Sequence, residues 1–266
     1  MILADPIIFV LGHTLKRIRY LTVRFDAEIQ HYEIPAFRGA VVEKIGIEFP
    51  TFHNHLPDGQ FLYRYPVIQY KQIGRNPAII CLEEGTDDIQ QFFQQRTWDI
   101  RLGDRPLTLA VKNLRLHQYT LQAWEHTFRF TMHNWLALNE TNYANYQATP
   151  DEINRLELLE KILTGNILSM AKGLDWRIDR EVRVRILHCS PLRWLKFKGQ
   201  LLAGFDLDFA TNVFLPDWIG LGKGVSVGFG VVRRERQEHK RSNPPPQNEQ
   251  NDEQPEAPPT HYDDEY

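Results

Sequence analysis

The densest group of side chains able to move protons is His53-Asn54-His55-Leu56-Pro57-Asp58-Gly59, with Tyr63-Arg64-Tyr65 close behind. Its proline and glycine place it in a loop, where catalytic groups carried by a rigid scaffold are often found. Histidine titrates near neutrality, so it can take a proton from an attacking hydroxyl or give one to a leaving oxygen. A nearby lysine, arginine or tyrosine can hold the charge that builds at a phosphorus centre. Together these groups make cleavage of RNA at its own 2′-OH feasible without a metal. Two other readings stay open on the residues alone. His-x-His can ligate zinc, although no third ligand stands out nearby, and both histidines can be ordinary loop residues. His117, His126, His133 and His188 are scattered over β-like segments and read as structural or exposed.

A second stretch stands out near the end of the chain. Gly220-Leu221-Gly222-Lys223-Gly224-Val225-Ser226-Val227-Gly228-Phe229-Gly230 holds five glycines in eleven residues and runs into Val231-Val232-Arg233-Arg234. Glycine loses more freedom than other residues on folding, so this density implies positive φ angles or close backbone approach. Peptide N–H groups with few side chains around them, and one lysine, suit a polyanion. No G-x-x-x-x-G-K-[ST] or G-x-G-x-x-G pattern can be read across it, which sets aside the nucleotide-binding loops. A hairpin that simply turns the chain is the plain alternative.

These segments must be held by a scaffold, and the pattern of the chain indicates one. Arg17 to Ile29 alternates Leu21, Val23, Phe25 and Ala27 against polar residues, as a half-buried strand does. Phe37, Val41, Val42 and Ile45 follow at helical spacing, with Gly46 as a stop. Phe61 to Gln72 reads as a strand edged by Pro66, and Pro77 to Leu82 as a short buried strand. A helix over Asp87–Gln95 and a weak strand over Trp98–Leu116, turning at Gly103-Asp104, complete a ferredoxin-like order. The second half repeats the idea with an aromatic-rich strand over Tyr119–Leu138. Thr149-Pro150-Asp151-Glu152 then reads as a capping box with Thr149 as N-cap, opening a long amphipathic helix to Gly173. A strand over Glu181–His188, at least one hairpin over Leu192–Phe209, and the glycine-rich stretch with Val227–Arg234 close the chain. The expectation is an α+β protein of two tandem ferredoxin-like (RRM-like) domains, residues 1–113 and 114–235, the second less regular. Residues 236–266 are proline-rich and acidic with almost no hydrophobes, and are expected to be a disordered tail.

Composition narrows the classes further. The chain of 266 residues is 42% hydrophobic and 24% charged, ordinary for a globular protein. The net charge of −3 comes from the tail, which holds three bases and eight acids; the body carries +2. Overall charge therefore says nothing about partners. No apolar run reaches the roughly eighteen residues of a membrane span. At the start, Asp5 precedes a short apolar run with its bases after it, the reverse of a secretory signal. Cys81 and Cys189 sit far apart in β-like runs and read as reduced core residues of a cytoplasmic protein.

The glycine-rich stretch has a more specific pattern: glycine, hydrophobic, glycine, five residues including a base, glycine, hydrophobic, glycine. Written so, it resembles the glycine-rich loop of the CRISPR-associated protein 6 family, endoribonucleases that cut the repeats of CRISPR precursor transcripts. The histidine segment is similar to one branch of that family. His53-x-His55 precedes Tyr63 and then Tyr65-Pro66-Val67-Ile68-Gln69-Tyr70-Lys71, and Phe37-Arg38-Gly39-Ala40 matches that branch's R-G-A segment. The resemblance implies His55 as principal catalytic residue, His53 in support and Tyr63 as a third partner. It implies a metal-independent cut without cofactor, leaving a 2′,3′-cyclic phosphate and a 5′-hydroxyl. The partner would be the CRISPR precursor RNA repeat, held by Lys223 with Gly220, Gly222, Gly224, Gly228 and Gly230, and more weakly by Arg38, Lys196 and Lys198. A CRISPR effector complex and a homodimer stay open as assembly states. The alternative is a non-catalytic RNA-binding subunit, since Gly228-Phe229-Gly230-Val231-Val232 loosely resembles an RRM core segment.

Overall fold

A computed structural model describes residues 9–10, 13–53 and 64–235. His55, Tyr63, the start of the strand expected from Phe61, and the tail from residue 236 lie outside the described residues. A short hairpin, β1 (Phe9–Val10) with β2 (His13–Thr14), precedes the first module.

That module is built from β3 (Lys16–Phe25), α1 (Ile34–Ile45), β4 (Ile68–Ile73), β5 (Asn76–Leu82), two short turns of helix α2 (Gly85–Asp88) and α3 (Gln90–Phe93), and β8 (Val111–Leu121). The four strands form an antiparallel sheet in the order β4-β5-β3-β8. Taken in sequence these are strands two, three, one and four, which is the ferredoxin-like order. β8 carries this sheet past residue 113, the expected boundary, to Leu121. The weak strand expected over Trp98–Leu116 divides at Gly103-Asp104 into a hairpin, β6 (Asp99–Leu102) with β7 (Arg105–Thr108), and then β8. The core forms where alternation meets helical spacing. Phe25 of β3, Phe37 of α1 and Phe92 of α3 are fully buried and meet edge to face at 5.7–6.1 Å. Each such ring contributes about 2–3 kcal/mol by leaving water.

The second module contains β9 (Ala123–Trp135), α4 (Glu140–Ala148), α5 (Glu152–Gly173), β10 (Val184–Cys189), β11 (Arg193–Phe197), β12 (Gln200–Val213) and β13 (Val231–Arg234). Its sheet runs β10-β12-β9-β13, again two, three, one, four, with β11 folded back on β12 as a hairpin. Between β12 and β13 there is no helix; the glycine-rich loop occupies the place of the second helix of a regular ferredoxin-like unit. α5 buries Leu159, Leu163, Ile167 and Met170, as its spacing requires.

Two details of this half differ from expectation. Asp151, not Thr149, caps α5: its carboxylate accepts the Asn154 N–H at 2.9 Å. Thr149 is instead the C-cap of α4, with its hydroxyl donating to the Asn145 carbonyl at 2.8 Å. The threonine–glutamate spacing imitates a capping box, but Pro150 already belongs to the link between two helices. α4 is not announced by the sequence pattern, because it buries no residue and so carries no apolar stripe. Among the described residues no helix is long and apolar enough to cross a membrane.

Candidate functional site

The segment Tyr65–Lys71 and the glycine-rich loop grip each other across 150 residues of chain. β4 alternates, so Ile68 and Tyr70 enter the first core, where Tyr70 meets Phe37 at 5.7 Å. Gln69 and Lys71 point the other way, and the loop covers them completely, to 0% and 1% exposure. Gln69 Oε1 accepts the Gly220 N–H at 3.1 Å, and its amide Nε2 donates to the Tyr65 hydroxyl at 3.0 Å. That hydroxyl donates to the Gly220 carbonyl at 2.7 Å. Lys71 Nζ donates to the Val225 carbonyl at 2.8 Å, and the Tyr70 N–H to the Ser226 carbonyl at 3.0 Å. Burial pushes the Lys71 amine down to about 7. Burial likewise raises the Tyr65 phenol, so it stays a donor at neutral pH.

The glycines are needed for this fit. Gly230 has φ +58°, and a Cβ there would lie 1.9 Å from the Leu221 carbonyl oxygen. Gly222 has φ +88°, and a Cβ there would lie 2.8 Å from the Trp135 indole nitrogen, which donates to Asn166 of α5. The Gly224 carbonyl accepts from the Val227 and Phe229 N–H groups, and the Gly228 carbonyl faces His31 Nε2 at 3.3 Å. The N–H groups of Gly220, Leu221, Val227, Phe229 and Gly230 are all donated within the protein. The loop thus forms a stiff wall, and Lys223 stands exposed on it.

The structure brings three of the expected RNA-binding lysines together. The β11–β12 hairpin turns at Lys198 and Gly199, both with positive φ, as a two-residue turn of this hand requires. Phe197, just before the turn, packs edge to face on Phe229 of the glycine loop at 5.4 Å. Lys198 Nζ and Lys223 Nζ lie 5.8 and 5.7 Å from the centre of the Phe197 ring. Lys196 and Lys198 line an adjoining cavity.

Arg38 is used differently. Its guanidinium donates to the carbonyls of Phe52 and His53, holding the chain where the histidine segment begins. His53 itself is tied down: its ring Nε2 lies 2.9 Å from the Ile47 carbonyl. One turn of α1 away from Arg38, about 6 Å along the axis, Ile34 presses on the loop, 2.6 Å from where a Gly228 Cβ would be. α1 therefore touches the glycine-rich loop at its start and the histidine segment at its middle.

Sequence reasoning missed two residues at this junction. His31 precedes α1 and lies 3.4 Å from the Asn134 amide. Partial burial lowers the His31 pKa, the hydrogen bond to the Gly228 carbonyl opposes this, and the Lys71 charge adds to the lowering. Asn134 sits at an irregularity of β9, where the pairing with β12 shifts register, and has φ +53°. The residue type is the one signal the strand's sequence carries, since asparagine tolerates that φ better than most residues.

Comparison with known proteins gives the family. Residues 16–120 match the Cas6b N-terminal domain family and residues 122–235 the Cas6b C-terminal domain family. A crystal structure of Cas6b superimposes with a TM-score of 0.74 at 28% identity, covering 83% of this chain and 100% of that one. A second, described as the CRISPR RNA processing endoribonuclease Cas6b, gives 0.62 at 26% identity over the same shares. Csf5, a type IV Cas6 crRNA endonuclease, shares the fold with a TM-score of 0.55 at 11% identity, over 83% of this chain and 100% of its own. An uncharacterized protein of Methanocaldococcus jannaschii is 44% identical over 100 residues, 38% of this chain and 67% of that protein. With both domain families matched in order over nearly all of the described residues, the chain belongs to the CRISPR-associated Cas6 family, in its Cas6b branch.

Proposed function

We propose that this chain is a metal-independent endoribonuclease that cuts CRISPR precursor RNA within its repeats. The observation that carries the reading is the grip of Tyr65, Gln69 and Lys71 on the glycine-rich loop. It joins the two segments that resemble the family into one rigid assembly, with α1 bridging them. In the reaction the 2′-oxygen beside the scissile bond attacks phosphorus as its proton passes to a base. The bond from phosphorus to the 5′-oxygen breaks, and that oxygen takes a proton. The products are a 2′,3′-cyclic phosphate and a 5′-hydroxyl. His55 is the principal proton-transfer residue, with His53 and Tyr63 in support. Arg38 positions the segment through the Phe52 and His53 carbonyls.

RNA is held by Lys223, Lys198 and Lys196 around Phe197, with the glycine residues shaping the wall. Processing of CRISPR transcripts places the protein in the cytoplasm, and the cut repeat is the form handed to an effector complex. The test is incubation of end-labelled repeat RNA, from the array of the encoding genome, in EDTA. A single cut whose upstream fragment ends in a cyclic phosphate is expected. Tight binding without a cut would instead make the chain a non-catalytic RNA-holding subunit.

A further inference from the structure

A cavity of about 480 Å³ opens between the start of α1 and the β11–β12 hairpin, beside the glycine-rich loop. Six of its residues bear on what could enter: His31, Tyr32, Asn134, Lys196, Lys198 and Phe229. Tyr32 is 79% exposed, so its ring contributes little to the core and is available as a flat surface. Phe229 closes the inner end, with His31 edge-on to it at 6.3 Å. The two lysines stand on the hairpin side, beside the ring shared by Lys198 and Lys223.

Asn134 is the group with reading capacity. The irregularity in β9 holds it in the left-handed region, and such irregularities re-aim side chains out of the sheet's alternation. Its amide contacts within the protein are long, 3.4 Å from Nδ2 to His31 and 3.4 Å from Oδ1 to Arg193. Hydrogen bonds at that length are weak, which leaves the carboxamide able to pair with a ligand at about 2.9 Å. A carboxamide offers one donor and one acceptor side by side. Adenine presents the complement at N6 and N7, whereas guanine presents two acceptors on the same edge.

We propose that this cavity is a pocket for one unstacked base of the bound RNA, with adenine preferred. Tyr32 is its stacking platform, Asn134 reads the base edge, and Lys196 with Lys198 takes the adjoining phosphate. An exposed aromatic ring, a carboxamide and flanking lysines are how single-stranded RNA is recognised, and the volume suits one nucleotide. A second cavity of about 320 Å³ shares His31 and Asn134 and includes Trp218, whose ring carries the Arg233 guanidinium at 3.7 Å. The strand therefore has a continuation on the other side of the His31–Asn134 pair.

This inference rests on the RNA-binding reading above, and its test separates the two. The probe is the repeat RNA with each unpaired nucleotide in turn made abasic, and each unpaired adenosine changed to guanosine. Binding is read by fluorescence anisotropy on the full chain. At one position the abasic change lowers wild-type affinity about tenfold, as loss of one stacked base does. Tyr32→Ala lowers affinity for the intact repeat by a similar factor and has no further effect on the abasic RNA. Asn134→Gly, which keeps the positive φ without strain, binds adenosine and guanosine equally at that position. Tyr32→Ala is a surface change and keeps the test open if the Asn134 variant fails to fold. The proposal is overturned if no abasic position lowers wild-type affinity by more than about twofold, or if Tyr32→Ala weakens all the RNAs alike. Wild type that cuts the repeat with no such position overturns this inference alone; wild type that binds no repeat RNA overturns both.

Discussion

Replacing Lys71 with methionine keeps most of the buried chain length and removes the charge. The sign of the effect follows from proton binding. The unfolded chain holds this proton up to about 10.5, whereas burial makes the folded protein release it near 7. Between those values the unfolded state binds more protons, so wild-type stability rises with pH. The slope is about 1.4 kcal/mol per pH unit, which gives about 2–3 kcal/mol between pH 7 and 9. Other groups fall outside that interval or cancel. His31, with its lowered pKa, contributes below about 6.5, and the raised phenols of Tyr20, Tyr65 and Tyr70 contribute above 10. The Cys81 and Cys189 thiols, pushed up by burial, lower stability toward pH 9 in both proteins alike. Urea denaturation followed by tryptophan fluorescence at pH 7, 8 and 9 measures the difference between the two curves. It is expected to grow in favour of wild type by about 2–3 kcal/mol from pH 7 to 9. Parallel curves would refute the reasoning, because a solvated Lys71 would titrate equally in both states.

Three further changes test the parts of the site. Tyr65→Phe leaves the Gly220 carbonyl without this donor and one Gln69 N–H without its acceptor, and is expected to lower stability by about 1–3 kcal/mol, read from the denaturation midpoint. Lys223→Ala removes one of the proposed phosphate contacts. It should reduce the slope of log affinity against log salt by about 0.7, without changing which repeat is bound. Arg38→Ala removes the guanidinium donor to the Phe52 and His53 carbonyls; single-turnover cleavage is expected to slow about tenfold or more while RNA affinity holds, as for a misplaced catalytic segment.

Much of this architecture is legible in the chain itself, and the exceptions have physical causes. The alternation of Leu21, Val23 and Phe25 and the stripe from Leu159 to Met170 dictate a strand and a helix, because each must turn one face to a core. The glycine pattern predicts positive φ, and four of the five residues adopt it. What pattern could not reveal is pairing at a distance. Gln69 and Lys71 look like the solvent side of a half-buried strand, and only a loop arriving from residues 220–226 makes them core. Lys198 and Lys223 become one patch only because Phe197 meets Phe229. Arg38 reads as a surface base, yet its guanidinium is engaged by two carbonyls. α4 lacks any buried residue, so no hydrophobic period announces it, and Thr149 is misassigned for want of that helix.

Single-turnover cleavage of end-labelled repeat RNA in EDTA, by wild type and His55→Ala at matched binding saturation, tests the central claim most directly. The account predicts one sharp cut by wild type with a cyclic-phosphate end. His55→Ala should retain RNA affinity and cut about a hundredfold slower or worse, the loss typical of a missing proton-transfer group. Cutting by His55→Ala at the wild-type rate would contradict the assigned chemistry, and saturated wild type that leaves the repeat intact would contradict the activity itself.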